Sequence, residues 1–554
     1  MMDSNSNGKQ SFLDKGTITA LVLVGAVWFG WSKWMETKYP ATGKPATASA
    51  VVSDKEKTTP TQEVAAAPVT SVDKGVLAAN PAPAPAPAAK EIAFEADGFK
   101  ARLSSDGLSL SQLEIKGYTT RDNKPIVLGA GPVPMFGTGL VGREDRIPFE
   151  LSETSAGTWI GVASLGPYKV EKRMELINDG LVKGRAFKVS VKASGDLATF
   201  PGFRMAVSDQ IAAPVSSSFL APSYDHHDWF VGHDDTNTRA VVDPNKPAAV
   251  DQKNVTAVAL SSHYFTAAVA DKSGLRPEFH ALPVKKEGEI FASTGFIDYV
   301  PLTKGSDFQI EQIWYVGPKD VDHLRAADES LARVIDYGMF AIIAEPLLWL
   351  LRFFHSLFGN WGFAIIGLTI VVRALVLPFN IYSFKSMKVM QKLQPLIQGV
   401  KERHKDDPRR MNEEVMKLMR ENKANPLGGC LPMLLQLPVF FALYQVLAQS
   451  IELYRAPFIF WISDLSVKDP FYVLPVLMGI SMFVQQKITP VADPQQAKIL
   501  VWMPVIFSFL MFTLPSGLTL YIFVSTIFGI TQQFVFMRDK SALAESKTIR
   551  EAKA

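Results

Sequence analysis

The spacing of apolar positions changes several times along this 554-residue chain, and each change marks a different kind of element. A polar start (residues 1–16) gives way to an apolar run, Ile18 to Trp31, with Trp28, Trp31, Trp34 and Tyr39 as an aromatic belt. The nearest Ala-x-Ala, at Ala48 to Ala50, lies far beyond that run, so residues 1–35 are expected to be an uncleaved transmembrane anchor. Residues 36–91 are Ala, Pro, Thr, Ser and Lys and end in alternating Pro and Ala, which predicts a stiff, extended linker. From 92 to 320 the period is two. Phe187-Lys-Val189-Ser-Val191 and Phe308-Gln-Ile310 are typical, and turn signals such as Asn178-Asp179-Gly180 separate the runs. This predicts one large antiparallel β domain, a sandwich of two sheets.

After residue 320 the pattern becomes helical. Residues 321–359 should hold a short charged helix, Val321–Ile335, and then the run Pro346 to Phe358. At 13 residues that run is too short to cross a bilayer. Arg352, His355 and Ser356 share one face of it, as in a helix lying in the membrane interface. Five apolar runs follow: Trp361–Phe379, Gly429–Ser450, Phe471–Val484 extended to about Lys487, Ile499–Leu514 and Gly517–Phe536. With the anchor these make six transmembrane helices, the second over 360–380 and the last four over 428–536, before a tail at 537–554.

Charge fixes the orientation. The loop between the first two of the five runs holds eleven Lys or Arg residues, whereas Ile451–Pro470 holds only Arg455 and Lys468. Basic loops stay cytoplasmic. Both termini and the basic loop therefore belong in the cytoplasm, with the β domain across the membrane. The basic segment, 381–427, has the pattern of a helical hairpin: Met390, Leu393, Ile397 and Val400 recur at heptad spacing, as do Met411, Val415 and Leu418, with Asp406-Asp407-Pro408 as the turn. Met387, Met390, Met411, Met416 and Met419 lie here; methionine suits both a packed seam and a surface that meets varied apolar partners.

Arg373 breaks the run Trp361–Phe379. A guanidinium cannot neutralise itself, and inside a membrane it costs about 2.5–3.5 kcal/mol on insertion scales, so it should face water or an anion. Thr369 stands one turn before it, and Gln436, Gln485, Gln486, Gln532 and Gln533 recur near the same halves of other runs. Together they predict a polar recess open on the cytoplasmic side. The run Ile499–Leu514 is 16 residues, about 24 Å against a hydrocarbon core of about 30 Å, which favours a locally thinned bilayer. No Asp or Glu lies in the spans, which argues against a proton relay.

Composition narrows the chemistry further. A net charge of +3 is too small to point to nucleic acid, and the single Cys430 excludes an internal disulfide or a cysteine-rich zinc site. The cluster Asp225 to Asp228 with His233 to Asp235 lies in a turn-rich stretch and is expected to be a solvated loop rather than a metal site. No nucleophile motif, phosphate loop or carboxylate pair appears, so neither an enzyme nor a cofactor is expected. Two rival readings are a secondary transporter and a membrane-anchored periplasmic carbohydrate-active domain. The first calls for inverted repeats and midplane carboxylates, the second for paired carboxylates in 92–318.

One set of motifs is specific. Asn425-Pro-Leu-Gly-Gly-Cys430-Leu-Pro432, Gln436-Leu-Pro438, Phe441-Ala-Leu-Tyr444, Arg455-Ala-Pro457-Phe458, Asp469-Pro470-Phe471, Met503-Pro504-Val505 and Pro515-Ser516-Gly517-Leu518 together resemble the YidC-type membrane protein insertases. The resemblance covers about 330–540, and the anchor with its large domain is similar to the Gram-negative form. It implies a polytopic α-helical protein of the bacterial inner membrane, in which five of the six transmembrane helices form the insertase core. A large periplasmic all-β supersandwich and a cytoplasmic helical hairpin complete it. It also implies a substrate groove at Arg373, Thr369, Gln436 and Tyr521, and a hydrophobic slide at Leu437, Phe440, Ile506 and Leu510. Recruitment through the hairpin methionines is implied as well. Ile522 stands where relatives often carry a second tyrosine. The implied partners are nascent membrane proteins, the Sec translocon with its accessory subunits, the ribosome and membrane lipids, with no small-molecule substrate.

Overall fold

A computed structural model describes residues 89–131, 133–211, 227–243, 249–287, 290–301, 307–422, 431–489 and 502–537. The N-terminal anchor, nearly all of the linker, Asp225 and His226, Cys430 and residues 538–554 lie outside the described residues.

Strict alternation builds the β domain. In Tyr168–Leu176 every second residue, Val170 to Leu176, is buried, and the polar ones between them are mostly exposed. Among the described residues nineteen strands, Glu91–Glu95 to Phe308–Pro318, pair antiparallel into three sheets of four, six and nine strands. Expectation and structure differ here: one layer is the nine-stranded sheet, and the other is shared by the two smaller ones. A single apolar core joins them. Phe136 stacks on Trp314 with centroids 4.5 Å apart, and Trp229 meets Phe279 at 5.1 Å. One cation sits inside: Lys172, fully buried, donates to the carbonyls of Gly107, Leu108 and Phe136 and to Thr138 Oγ1 at 2.8–3.0 Å.

The helices follow the last strand. α1 (Val321–Ala327) and α2 (Glu329–Ala332) meet at Asp328, which closes the first and caps the second. α3 spans Ala341–Phe358, five residues earlier than the expected start at Pro346, because the proline sits inside the helix. With the preceding turn it becomes long and apolar enough to cross a membrane by length and composition. α3 ends at Gly359, whose φ of +66° favours glycine, and Asn360 caps α4 by accepting from Gly362 N and Phe363 N.

α4 (Trp361–Arg403) is a single helix of 43 residues, about 65 Å long. The expected division at 380/381 is therefore not a break: the span runs on into the first arm of the hairpin through Pro378 and Pro395. Asp407 caps α5 (Pro408–Glu421), which returns along it. Leu393 and Ile397 of α4 pack with Val415, Leu418 and Met419 of α5 at the expected seam. α6 (Leu431–Gln449), α7 (Val473–Ile488), α8 (Met503–Met511) and α9 (Ser516–Met537) complete the helical part. Among the described residues three helical segments meet the length and apolarity of a membrane span: Gly338–Phe358, Trp361–Ile381 and Ser516–Phe536.

Candidate functional site

Four helices bring the polar residues of the spans together. Arg373 of α4 donates from Nε to Ser525 Oγ of α9 at 2.8 Å. One turn earlier on α9, the Tyr521 hydroxyl interacts with the same serine and accepts from Gln436 Nε2 of α6 at 2.8 Å. Arg373, Ser525, Tyr521 and Gln436 thus form one polar chain across three helices. α7 adds Gln485. A Cβ placed on Gly529 would lie 2.8 Å from Gln485 Nε2 and 3.9 Å from Arg373 Nη1, so the missing side chain leaves room for both groups.

Arg373 is half-buried, and its partner among the described residues is a neutral hydroxyl; no carboxylate there pairs with it. A guanidinium carries several N–H donors, and one hydroxyl satisfies one of them. Thr369 is buried one turn away, but its hydroxyl donates at 2.6 Å to Ile365 O of its own helix. It shapes the wall and keeps its proton for the backbone. Towards the hairpin the amides join helices: Asn380 Nδ2 donates to Gln532 Oε1 at 3.2 Å, and Thr489 Oγ1, which donates to Gln485 O, lies 3.2 Å from Gln533 Oε1. Gln486 Oε1 and Gln533 Nε2 are buried there without a partner among the described residues.

The apolar candidates divide by exposure. Leu437 of α6 and Ile506 of α8 are exposed, at 37 % and 59 %, whereas Phe440 and Leu510 pack half-buried on the helical core. Val505 and Phe509 face outward beside Ile506 and were not foreseen, although their i, i+4 spacing was visible. The methionines lie apart from Arg373: Met387 is 14 residues beyond it, about 21 Å along α4. Met390 and Met419 fill the hairpin seam, Met387 is buried, Met411 is half-buried and Met416 is exposed.

Ser525 and Gly529 were also missed. They continue Tyr521 at i+4 and i+8, a stripe of one polar and one small residue that apolar periodicity passes over. Part of the expected solvated loop is instead the strand His227–Gly232, with Asp228 buried in it. Asp228 pairs with Arg239, Asp234 with Arg276, and His233 Nδ1 lies 3.2 Å from Asn254 O.

Comparison with known proteins fits both parts of this architecture. The family model of the 60Kd inner membrane protein matches residues 353–543, and that of the YidC periplasmic domain matches 204–350. The strands before 204 belong to the same unit, since Ala186–Gly195 pairs with Phe308–Pro318 inside the nine-stranded sheet. The membrane protein insertase YidC of Nitratidesulfovibrio vulgaris (strain DP4) is 35 % identical over 558 residues, spanning 95 % of this chain and 99 % of its own. That of Geobacter metallireducens is 33 % identical over 97 % of this chain and all of its own. A crystal structure of an active YidC insertase with its first transmembrane domain resolved covers 80 % of this chain and 92 % of its own, at 19 % identity and a TM-score of 0.36. With relatives matched nearly end to end, the chain belongs to the YidC family of membrane protein insertases, an inner-membrane, non-enzymatic family whose sheet domain is periplasmic.

Proposed function

We propose that this protein inserts nascent membrane proteins by admitting their translocated segment into the recess around Arg373. Their apolar helix meanwhile leaves along α6 and α8. The observation that carries this is a half-buried guanidinium whose partner among the described residues is the neutral Ser525. An unpaired cation in a low-dielectric site attracts an acidic segment. At about 4 Å and an effective dielectric constant of about 20, one carboxylate gains about 4 kcal/mol. The polar chain through Ser525, Tyr521 and Gln436 lowers the cost of desolvating the segment's backbone. Exposed Leu437, Val505, Ile506 and Phe509 offer the substrate's apolar helix a surface on its way into lipid. Burial of that helix drives the reaction, without a nucleotide or a covalent step.

The layout belongs to the same proposal. Six transmembrane helices, both termini in the cytoplasm and α3 in the periplasmic interface place the recess open to the cytoplasm. Arg352, deep in α3, pairs with Asp320 and Asp322 at the foot of the sheet domain and with Glu452 just after α6, and those partners support an interfacial α3 rather than a spanning one. The hairpin recruits the chain, with Met416 as its outward methionine. The protein works alone on small substrates or beside the Sec translocon, on chains still held by the ribosome.

The test is complementation in a strain depleted of its own insertase. Arg373→Ala should lower insertion of a substrate with an acidic translocated segment, and Arg373→Lys should lower it less. Loss of even a third of the attraction, about 1.4 kcal/mol, is a tenfold change. Equal insertion of the acidic substrate by Arg373→Ala would remove the electrostatic step. Unchanged insertion of a neutral substrate is expected in both variants.

A further inference from the structure

The loop between α6 and α7 carries an apolar tip that the recess does not use. Phe460 is 88 % exposed and its φ is +54°, a backbone region that bulky L-residues rarely occupy. The loop is held firmly around it. Asn360, the cap of α4, donates from Nδ2 to the carbonyls of Pro457 and Phe458. The Phe458 ring packs on Phe363 with centroids 5.3 Å apart and occupies the place of a Cβ on Gly362. Trp461 stacks on Phe460 and donates from Nε1 to Asp469 Oδ1, while the same carboxylate caps α7 through Leu474 N. Each contact pins the residues beside Phe460 and leaves its ring pointing outward.

The surroundings of the tip decide what it meets. The α3–α4 corner that holds the loop also carries an outward row on α3, Ile342, Trp349, Phe353 and Leu357, exposed at 49–75 %. Trp349 and Phe353 are stacked at 5.9 Å. Phe471 is 69 % exposed at the start of α7. Two cations near this belt are engaged, Arg352 with its three carboxylates and Lys468 over the Tyr472 ring at 5.9 Å, while Glu345 stands exposed on α3 between Ile342 and Trp349, away from the tip. The belt is continuous with the first turns of the span Trp361–Ile381 and of α7, the level where the hydrocarbon ends.

We infer that the Ile459–Phe460–Trp461 tip, together with the α3 row, is a docking surface for phospholipid. It inserts into the periplasmic leaflet and fixes the outer end of the insertase core at the lipid interface. A substrate helix is the lesser fit, because the belt lies on the α3–α4 corner rather than on α6 and α8. The surface rests on the membrane placement proposed above, and its test separates the two.

The full chain, with Cys430→Ser, is labelled with a nitroxide at Phe460→Cys and reconstituted in phosphatidylethanolamine–phosphatidylglycerol nanodiscs. Two control labels are Leu375→Cys, 71 % exposed within the span, and Val241→Cys, 65 % exposed on the sheet domain. The ratio of oxygen to nickel-chelate collision is expected several-fold higher at 460 than at 241, and higher still at 375. A ratio at 460 equal to that at 241, with 375 deep, overturns the lipid surface alone. An aqueous 375 overturns the membrane placement. A photo-crosslinker at 460 that captures a stalled nascent chain in place of lipid assigns the tip to substrate and also overturns the inference.

Discussion

At the scale of residues, the polar chain at Arg373 was legible where chemistry stood out and hidden where a side chain was small. Arg373 and Gln436 are costly in a membrane, so their presence in apolar runs announced a polar cluster, whereas Tyr521 came only through the family resemblance. Gly529 costs nothing and announces nothing, yet a Cβ there would reach within 2.8 Å of Gln485. Gly529→Val should therefore fill the recess and lower insertion about tenfold or more while the protein still folds, read by complementation beside an unchanged melting curve. Lys172 follows the same division. Alternation places it inward with Val170 and Met174, but its acceptors come from positions 34–65 residues away. Lys172→Met should cost about 1–3 kcal/mol, since Leu108 O, Phe136 O and the Thr138 hydroxyl lose a donor while Gly107 O keeps Thr138 N. Thermal unfolding of the purified chain measures it.

Asp209 adds a pH dependence at this scale. Burial pushes its carboxyl up to about 7, against the backbone N–H groups of Gly129, Gln210 and Ala130 that hold the charge. The folded chain therefore binds the proton more tightly than the unfolded chain does. That stability is full below the ordinary carboxylate range. It is lost as pH rises towards 7, at about 1.4 kcal/mol for each pH step of one in between. The sheet domain should melt higher at pH 5.5 than at pH 8, and Asp209→Asn should flatten the difference. A slope that survives the substitution would assign it to other groups.

At the scale of elements, periodicity foretold the hairpin and proline misled about its neighbours. A proline inside a helix removes one hydrogen bond and clashes with the preceding turn, so Pro346 read as a start and Pro378 lay near an expected boundary. In the structure both lie inside helices, because packing along α3 and α4 continues past them. The hairpin seam depended on no such rule: Leu393 and Ile397 are 5 % and 7 % exposed. Ile397→Asp buries a charge in that seam at a cost of several kcal/mol and should free α5 from α4. Trypsin is then expected to cut at Arg409 and Arg410 about tenfold faster, the equivalent of about 1.4 kcal/mol of opening. Met416→Ser, on the outer face, should leave the cutting rate alone and reduce only substrate recruitment. If the serine variant also accelerates cutting, Met416 belongs to the seam and not to recruitment.

At the scale of the whole molecule, the least legible feature is how the sheet domain sits on the helices, since most of its contacts join residues a hundred or more apart. Arg352 donates to Glu452 Oε1 at 2.5 Å from Nη2 and also pairs with Asp320 and Asp322. Arg455, with φ of +55°, donates to Thr120 O and Asn123 Oδ1, and the Tyr454 hydroxyl to Thr119 O. His263 Nε2 lies 2.7 Å from Ala448 O at the end of α6. These contacts tie turns of the sheet domain to the end of α6 and to the segment 450–455 that follows it. Arg352 is the node that three carboxylates share, and Glu452 and Asp320 are only 12 % and 19 % exposed. Removing the arginine leaves like charges together with poor access to water, a loss of about 3–5 kcal/mol. Removing the half-exposed Asp322 costs about 1 kcal/mol or less. Arg352→Gln should therefore raise hydrogen exchange across Val321–Ala332 and 450–456 while the inner strands stay protected, and Asp322→Asn should change little. Equal protection in Arg352→Gln and the parent would show that the aromatic contacts of Tyr454 with Tyr118, Tyr264 and Phe265 hold the domain by themselves.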